Sequence, residues 1–163
     1  VKFISLIGLP GSGKSTFVRN ALTAQTIHQG AEILSTDDLI EAWGKEQGMN
    51  YSEAFRSCDF STFEKQMRAN FQTAIAEGRD IVVDRTNLTT KSRRSFLASL
   101  PAAYRREARV FQVPEDVLAQ RLHERAERTG KFIPPHVVSG MRETYQEPVL
   151  SEGFDLIELH KGT

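Results

Sequence analysis

Short apolar runs alternate along this chain with longer stretches in which apolar residues recur every three or four positions. Phe3-Ile4-Ser5-Leu6-Ile7 reads as a first strand, and Thr16 to Leu22 as the opening of a helix. Ala31–Ser35 is a second strand, followed by a helical pattern from Leu39 to about Gln47 that Gly48 breaks. Ser52 to Glu77 reads as one long helical region, with Phe55, Phe63, Met67, Phe71 and Ile75 on its apolar face and Gly78 at its end. Asp80–Asp84 is apolar enough for a central strand. Thr89–Leu100 is a helix closed by Pro101, and Arg109–Val113 a fourth strand. Pro114 opens a helix to about Glu127. A Gly- and Pro-containing loop covers Thr129–Pro135, a helix His136–Tyr145, and a last strand Phe154–Leu159. This alternation predicts an α/β fold, a three-layer sandwich around a five-stranded parallel sheet. Ligands bind such sheets beyond the carboxyl ends of the strands, so chemistry is sought there.

The first strand end carries Gly8-Leu9-Pro10-Gly11-Ser12-Gly13-Lys14-Ser15-Thr16. This fits G-x-x-x-x-G-K-[ST] between a strand and a helix, the phosphate-binding P-loop. Gly11 and Gly13 lack a Cβ, so the backbone curls and aims successive N–H groups at phosphate oxygens, Ser12 among them. The helix N-terminus behind adds unpaired N–H groups and partial positive charge, with Thr16 in its first turn. Lys14 supplies a full charge to the β- and γ-phosphates of ATP, and the Ser15 hydroxyl suits Mg²⁺.

Three further clusters sit at strand ends. Asp37 and Asp38 follow the second strand; a carboxylate there suits a general base that takes the acceptor's hydroxyl proton. Asp38 with Glu41 also reads as a capping box, leaving Asp37 to face the phosphates. Asp84 ends an apolar strand at the Walker B position, where Asp holds Mg²⁺ directly or through water. Arg85, Thr86 and Asn87 follow it, with substrate contact or an Asx turn as the two readings. Arg121, Arg125 and Arg128 are spaced by four and three, and Lys131 follows in the loop. They read as an arginine-bearing lid that stabilises the transferring phosphoryl group, or as a solvated face paired with Glu124 and Glu127.

The length of 163 residues predicts one domain. Lys plus Arg and Asp plus Glu both number 21, so total charge argues neither for nor against a polyanionic partner. Its distribution is uneven. Arg85 to Lys131 holds eleven basic and five acidic side chains, Arg93 and Arg94 among the basic ones, whereas Glu32 to Glu64 holds eight acidic and two basic. A basic segment beside a phosphate site suits a polyanion. The single cysteine, Cys58, excludes an intramolecular disulfide and fits a reducing compartment. With no secretory signal and no long apolar run, the expectation is a cytoplasmic location and no membrane partner. Trp43 is expected to be packing, and the four histidines lack metal-ligand spacing.

Taken together, these residues resemble the P-loop kinases typified by the polynucleotide 5′-hydroxyl kinase domain of phage and bacterial nucleic-acid repair enzymes. The resemblance rests on Gly8–Thr16, Ser35-Thr36-Asp37-Asp38, Val83-Asp84-Arg85-Thr86-Asn87-Leu88, the arginine lid ending Gly130-Lys131-Phe132-Ile133-Pro134, and Pro148 with Glu152-Gly153-Phe154-Asp155. It implies an adenylate-kinase-like fold and γ-phosphate transfer from ATP, with Mg²⁺, to the 5′-hydroxyl end of RNA or DNA. It also implies Asp37 as general base, Lys14 and Ser15 as phosphate and metal groups, and Arg125 or Arg128 as the lid arginine. Homo-oligomerisation or fusion to other repair domains accompanies that expectation. The family's arginine three residues after the first Asp is replaced by Ile40, which passes the substrate-gripping role to Arg93 or Arg94 or points to a different acceptor. The alternative acceptor is the hydroxyl of a sugar, nucleoside or nucleotide-sugar. A nucleotide-dependent switch or motor finds no support, since no N-K-x-D motif is present.

Overall fold

A computed structural model of the chain describes residues 1–162. Five parallel strands form one sheet in the order β2-β3-β1-β4-β5: β1 Lys2–Ile7, β2 Glu32–Leu34, β3 Ile81–Val83, β4 Arg105–Gln112 and β5 Leu156–Lys161. Seven α-helices are described: α1 Lys14–Thr23, α2 Thr36–Glu46, α3 Tyr51–Ser57, α4 Phe60–Ala76, α5 Thr90–Leu97, α6 Glu115–Thr129 and α7 Pro135–Thr144. A 3₁₀ turn spans Leu150–Glu152.

Side chains alternate across a strand, and β1 shows the consequence. Phe3 and Ile7 join a core with Met67, Phe71 and Phe96 from α4 and α5. Ile4 and Leu6 face the opposite way and pack with Val18 and Ala21 of α1. Both faces of the sheet are therefore covered, which is why β1 and β3 read as nearly continuous apolar runs.

Most boundaries shift by up to three residues from the sequence expectation, and two differences are larger. The region expected as one helix from Ser52 to Glu77 is two, α3 and α4. Cys58 and Asp59 turn extended between them, and Asp59 accepts a hydrogen bond from Thr62 Oγ1 at 2.9 Å, so the apolar periodicity continues across a real break. β4 begins four residues earlier than expected. Its charged start is tolerated because buried Glu107 accepts hydrogen bonds from Arg105 at 3.0 Å and Arg109 at 2.7 Å. Arg109 also pairs with Glu158. Arg105 and Arg109 of the basic segment are thus spent on carboxylates of the sheet rather than on a phosphate ligand. Trp43 packs on Phe63, as expected.

Candidate functional site

The P-loop joins β1 to α1. Gly8 N–H donates to Thr86 O at 3.0 Å, tying the loop to the segment that leaves β3. Gly13 caps α1 at φ +107°, a left-handed conformation that an L side chain rarely adopts. Lys14 opens the helix and is buried; its Nζ donates to Gly8 O and Leu9 O, each at 2.8 Å. Burial pushes its ammonium down to about 8, Asp84 opposes that, and Arg125 adds to it. The residues also fit a phosphate ligand by what they leave unpaired. Ser12 Oγ, and Arg125 Nε and Nη2, are buried with no hydrogen-bond partner among the described residues. Each is a donor that an anionic oxygen would satisfy.

Ser15 Oγ donates to Asp84 Oδ2 at 3.4 Å. Burial raises the Asp84 carboxyl, while Lys14 and the Ser15 hydrogen bond pull it down. A cation here would relieve that burial cost. No cluster of three or more His, Cys, Asp or Glu fit for a metal occurs among the described residues. The oxygens of Ser15 and Asp84 suit Mg²⁺, a hard cation that takes few protein ligands and completes its shell with water and phosphate oxygens.

Asp37 lies in the first turn of α2. The capping is done by Ser35, whose Oγ accepts from Asp38 N–H at 3.1 Å, and not by the expected Asp38–Glu41 box. The serine's extended backbone precedes the helix, whereas Asp38 is already inside it. Burial first, then the nearby Asp37 charge, hold the Tyr51 phenol well above its ordinary range. Lys131 Nζ stands 3.6 Å from Asp37 Oδ2 and 4.1 Å from the centre of the Tyr51 ring. Helices α2 and α3 approach closely at Gly44, where a Cβ would come within 2.5 Å of Ala54 Cβ.

A cleft of about 950 Å³ gathers these groups. The P-loop, Asp84, the α6 arginines Arg121, Arg125 and Arg128, and Asp37, Asp38, Tyr51, Phe55 and Phe60 all line it. Among the arginines, Arg121 donates to Gly11 O at 3.3 Å, Arg128 is exposed, and Arg125 holds the unpaired buried nitrogens. Arg85 lines the cleft, but its guanidinium is paired with Glu64 at 3.0 Å, and Glu64 also accepts from Thr36 Oγ1 at 2.9 Å.

Three expected substrate contacts are not brought to the cleft. Arg93 is 1% exposed; its Nε and Nη2 bind the Glu152 carboxylate at 2.8 and 3.1 Å, and its Nη1 donates to Asn87 O at 2.9 Å. Asn87 is buried at φ +48°, and its Nδ2 donates to Leu6 O at 2.7 Å. Arg94 is exposed on α5, outside the cleft lining. Arg93 and Asn87 instead brace the segment that carries Asp84. Replacing Arg93 with alanine leaves the Glu152 carboxylate buried and unpaired, and unfolding in urea should show a loss of about 3–5 kcal/mol.

The sequence does not mark Tyr51, Glu64, Phe55 or Phe60 as site residues. None belongs to a local motif. The one signal available was the aromatic clustering of Tyr51, Phe55 and Phe60 beside an Asp-Asp pair, and amphipathic helices also produce that by packing alone.

Residues 3–148 match the model of a family described as AAA domain, and the chain belongs to that family. Three solved structures share the fold. One is a protein from Chloroflexus aurantiacus J-10-fl assigned as a kinase, 18% identical, with a TM-score of 0.69 over 98% of this chain and 84% of that one. A gluconokinase from Sinorhizobium meliloti 1021 is 22% identical, with a TM-score of 0.58 over 98% and 82%. Shikimate kinase from Acinetobacter baumannii, solved with shikimate, is 17% identical, with a TM-score of 0.58 over 99% and 86%. The chain is thus a P-loop protein of kinase-like fold. No helix among the described residues is long and apolar enough to cross a membrane.

Proposed function

We propose that this AAA-domain protein is an ATP-dependent phosphotransferase that places the γ-phosphate on a hydroxyl of a small-molecule acceptor. The observation that carries this reading is the convergence of Lys14, Arg125 and Asp37 in one cleft. Asp37 accepts the proton of the acceptor hydroxyl as that oxygen bonds to the γ-phosphorus. The bond from the γ-phosphorus to the bridging oxygen breaks, and ADP leaves with its electrons. Lys14, Arg125 and the P-loop N–H groups meet the charge on the phosphoryl oxygens. Mg²⁺, held by Ser15 and Asp84, would neutralise charge on the β- and γ-phosphates.

Gluconokinase and shikimate kinase act on small acceptors and share the fold, which supports the small-molecule reading. The polynucleotide 5′-hydroxyl acceptor draws its support from the Asp37-Asp38 and Asp84-Arg85-Thr86-Asn87 motifs. Against it stand Ile40, the burial of Arg93 and the pairing of Arg85 with Glu64. Labelled ATP offered with a panel of sugars, nucleosides and a 5′-hydroxyl oligonucleotide decides the matter. Label is expected on a small alcohol; transfer to the oligonucleotide alone would reverse the assignment.

Arg125 is the lid arginine this reading selects. Arg125→Ala should lower kcat by roughly 10²–10³-fold, the scale of losing a preorganised charge donor, with Arg128→Ala costing far less. Steady-state rates of both variants on one acceptor check this, and equal losses would remove Arg125 from the role.

A further inference from the structure

The cleft holds one more cation, Lys131, and it stands against the proposed base. Gly130 closes α6 at φ +72°, so the chain turns sharply just before Lys131. Ser52 Oγ donates to Gly130 O at 2.5 Å, and a Cβ on Gly130 would stand 3.6 Å from Asn50 Nδ2. The loop after α6 is thereby fastened to the start of α3, with Lys131 in the cleft lining and its side chain 18% exposed.

Two contacts hold this ammonium, and neither commits it. It lies 4.1 Å from the centre of the Tyr51 ring, whose face attracts a cation without carrying a charge. It stands 3.6 Å from Asp37 Oδ2, longer than the about 2.7–2.9 Å of a charge-assisted hydrogen bond. The other cations of the cleft differ. Arg121 donates to Gly11 O, and Arg85 is paired with Glu64. The Lys131 charge also reaches the donor side: burial first, then Arg125 and Lys131, hold the Lys14 ammonium down to about 8 against the pull of Asp84.

The reaction itself brings the phosphate to this lysine. A general base sits within hydrogen-bond reach of the hydroxyl it serves, and that oxygen closes on the phosphorus, so the γ-phosphoryl group comes within about 7 Å of the Asp37 carboxylate. Lys131 Nζ lies well inside that radius, on the oxygen that would take the proton. A flexible four-carbon stem lets the ammonium change partner without moving the backbone that Gly130 and Ser52 fix.

We propose that Lys131 is a catalytic residue that exchanges partners: it pairs with Asp37 until a triphosphate binds, then moves its ammonium to a γ-phosphate oxygen and leaves Asp37 to take the acceptor's proton. A diphosphate offers no γ-oxygen and leaves the pair with Asp37 intact. The exchange rests on the phosphotransferase reading with Asp37 as base, and it holds for any alcohol as acceptor.

The test compares ADP with the non-hydrolysable ATP analogue adenylyl imidodiphosphate, by calorimetry on the full chain with Mg²⁺ present. Lys131→Met keeps the length of the side chain and removes its charge. It is expected to weaken the analogue roughly ten-fold or more, the scale of one charge-assisted contact, and to leave ADP affinity unchanged. Lys131→Arg should restore most of the loss, with thermal melts establishing that both variants are folded. The loss should persist when Lys131→Met is made in Asp37→Asn, which separates contact with the phosphate from an effect passed through the base. Equal losses for ADP and the analogue, no loss for the analogue, or a loss that disappears in Asp37→Asn would each overturn the proposal. Phosphate transfer is scored separately, since these affinities need no acceptor. Label passing from ATP to no alcohol, in a protein whose analogue binding depends on Lys131, would overturn the phosphotransferase reading and leave the γ-phosphate contact standing.

Discussion

Lys14→Ala is expected to abolish phosphoryl transfer, with kcat/KM falling by at least about 10³-fold, because the charge that meets the β- and γ-phosphates is gone. The fold should survive. Lys14 is a charge held 9% exposed, and in the absence of nucleotide its ammonium binds only the loop carbonyls Gly8 O and Leu9 O. Removing a buried charge recovers its desolvation cost and offsets the two lost hydrogen bonds. Unfolding midpoints of the wild type and the variant should therefore lie close together while nucleotide affinity collapses. A large drop in stability would show that Lys14 holds the loop together as well as the phosphate.

The same burial sets a pH signature. Lys14 is pushed down to about 8, so the lysine of the free protein loses its proton in mildly alkaline solution. An incoming triphosphate favours the charged form and raises that value. Binding near and above pH 8 should thus take up a proton, and affinity should weaken as pH climbs further. Calorimetry in buffers of different ionisation enthalpy reads the uptake directly, and Lys14→Ala should lose it.

Asp37→Asn is the second large effect. Amide for carboxylate preserves shape and removes the group that accepts the acceptor's proton. We expect kcat to fall about 10²–10⁴-fold, the usual range for a general base, with ATP affinity changed only a few-fold. Asp37 lies outside the P-loop and pairs with Lys131 at 3.6 Å, so nucleotide binding should have little to lose. Asn keeps the shape of the side chain in the first turn of α2, where Ser35 does the capping, so the helix should be undisturbed. Full activity in Asp37→Asn would exclude it as the base. A parallel loss of ATP binding would move it to the donor side.

The two halves of the cleft were unequally legible in the chain. The P-loop is a continuous nine-residue motif whose conformation follows from its glycines and its place between strand and helix, so Lys14 and Ser15 could be placed at once. Asp84 was legible because a carboxylate at the end of an apolar strand has one natural position in a parallel sheet. Arg93 was misjudged for a physical reason. Its partner, Glu152, lies 59 residues away, and no local pattern separates an arginine that binds substrate from one neutralised by a distant carboxylate. Arg85 and Glu64 repeat this across 21 residues. The break at Cys58 and Asp59 was hidden because the apolar spacing of two successive helices stayed in phase.

By itself, then, the amino-acid order determined the sheet, the phosphate cradle and the carboxylates at the strand ends. Those depend on local periodicity and on backbone freedom at particular residues. Only the tertiary structure decided which cations remain free to act, since that turns on ion pairs between distant segments. It also decided the character of the acceptor side. Tyr51 and Phe55 of α3 meet Phe60 of α4 in the cleft that also holds Asp37, a packing of helices that neither helix encodes alone.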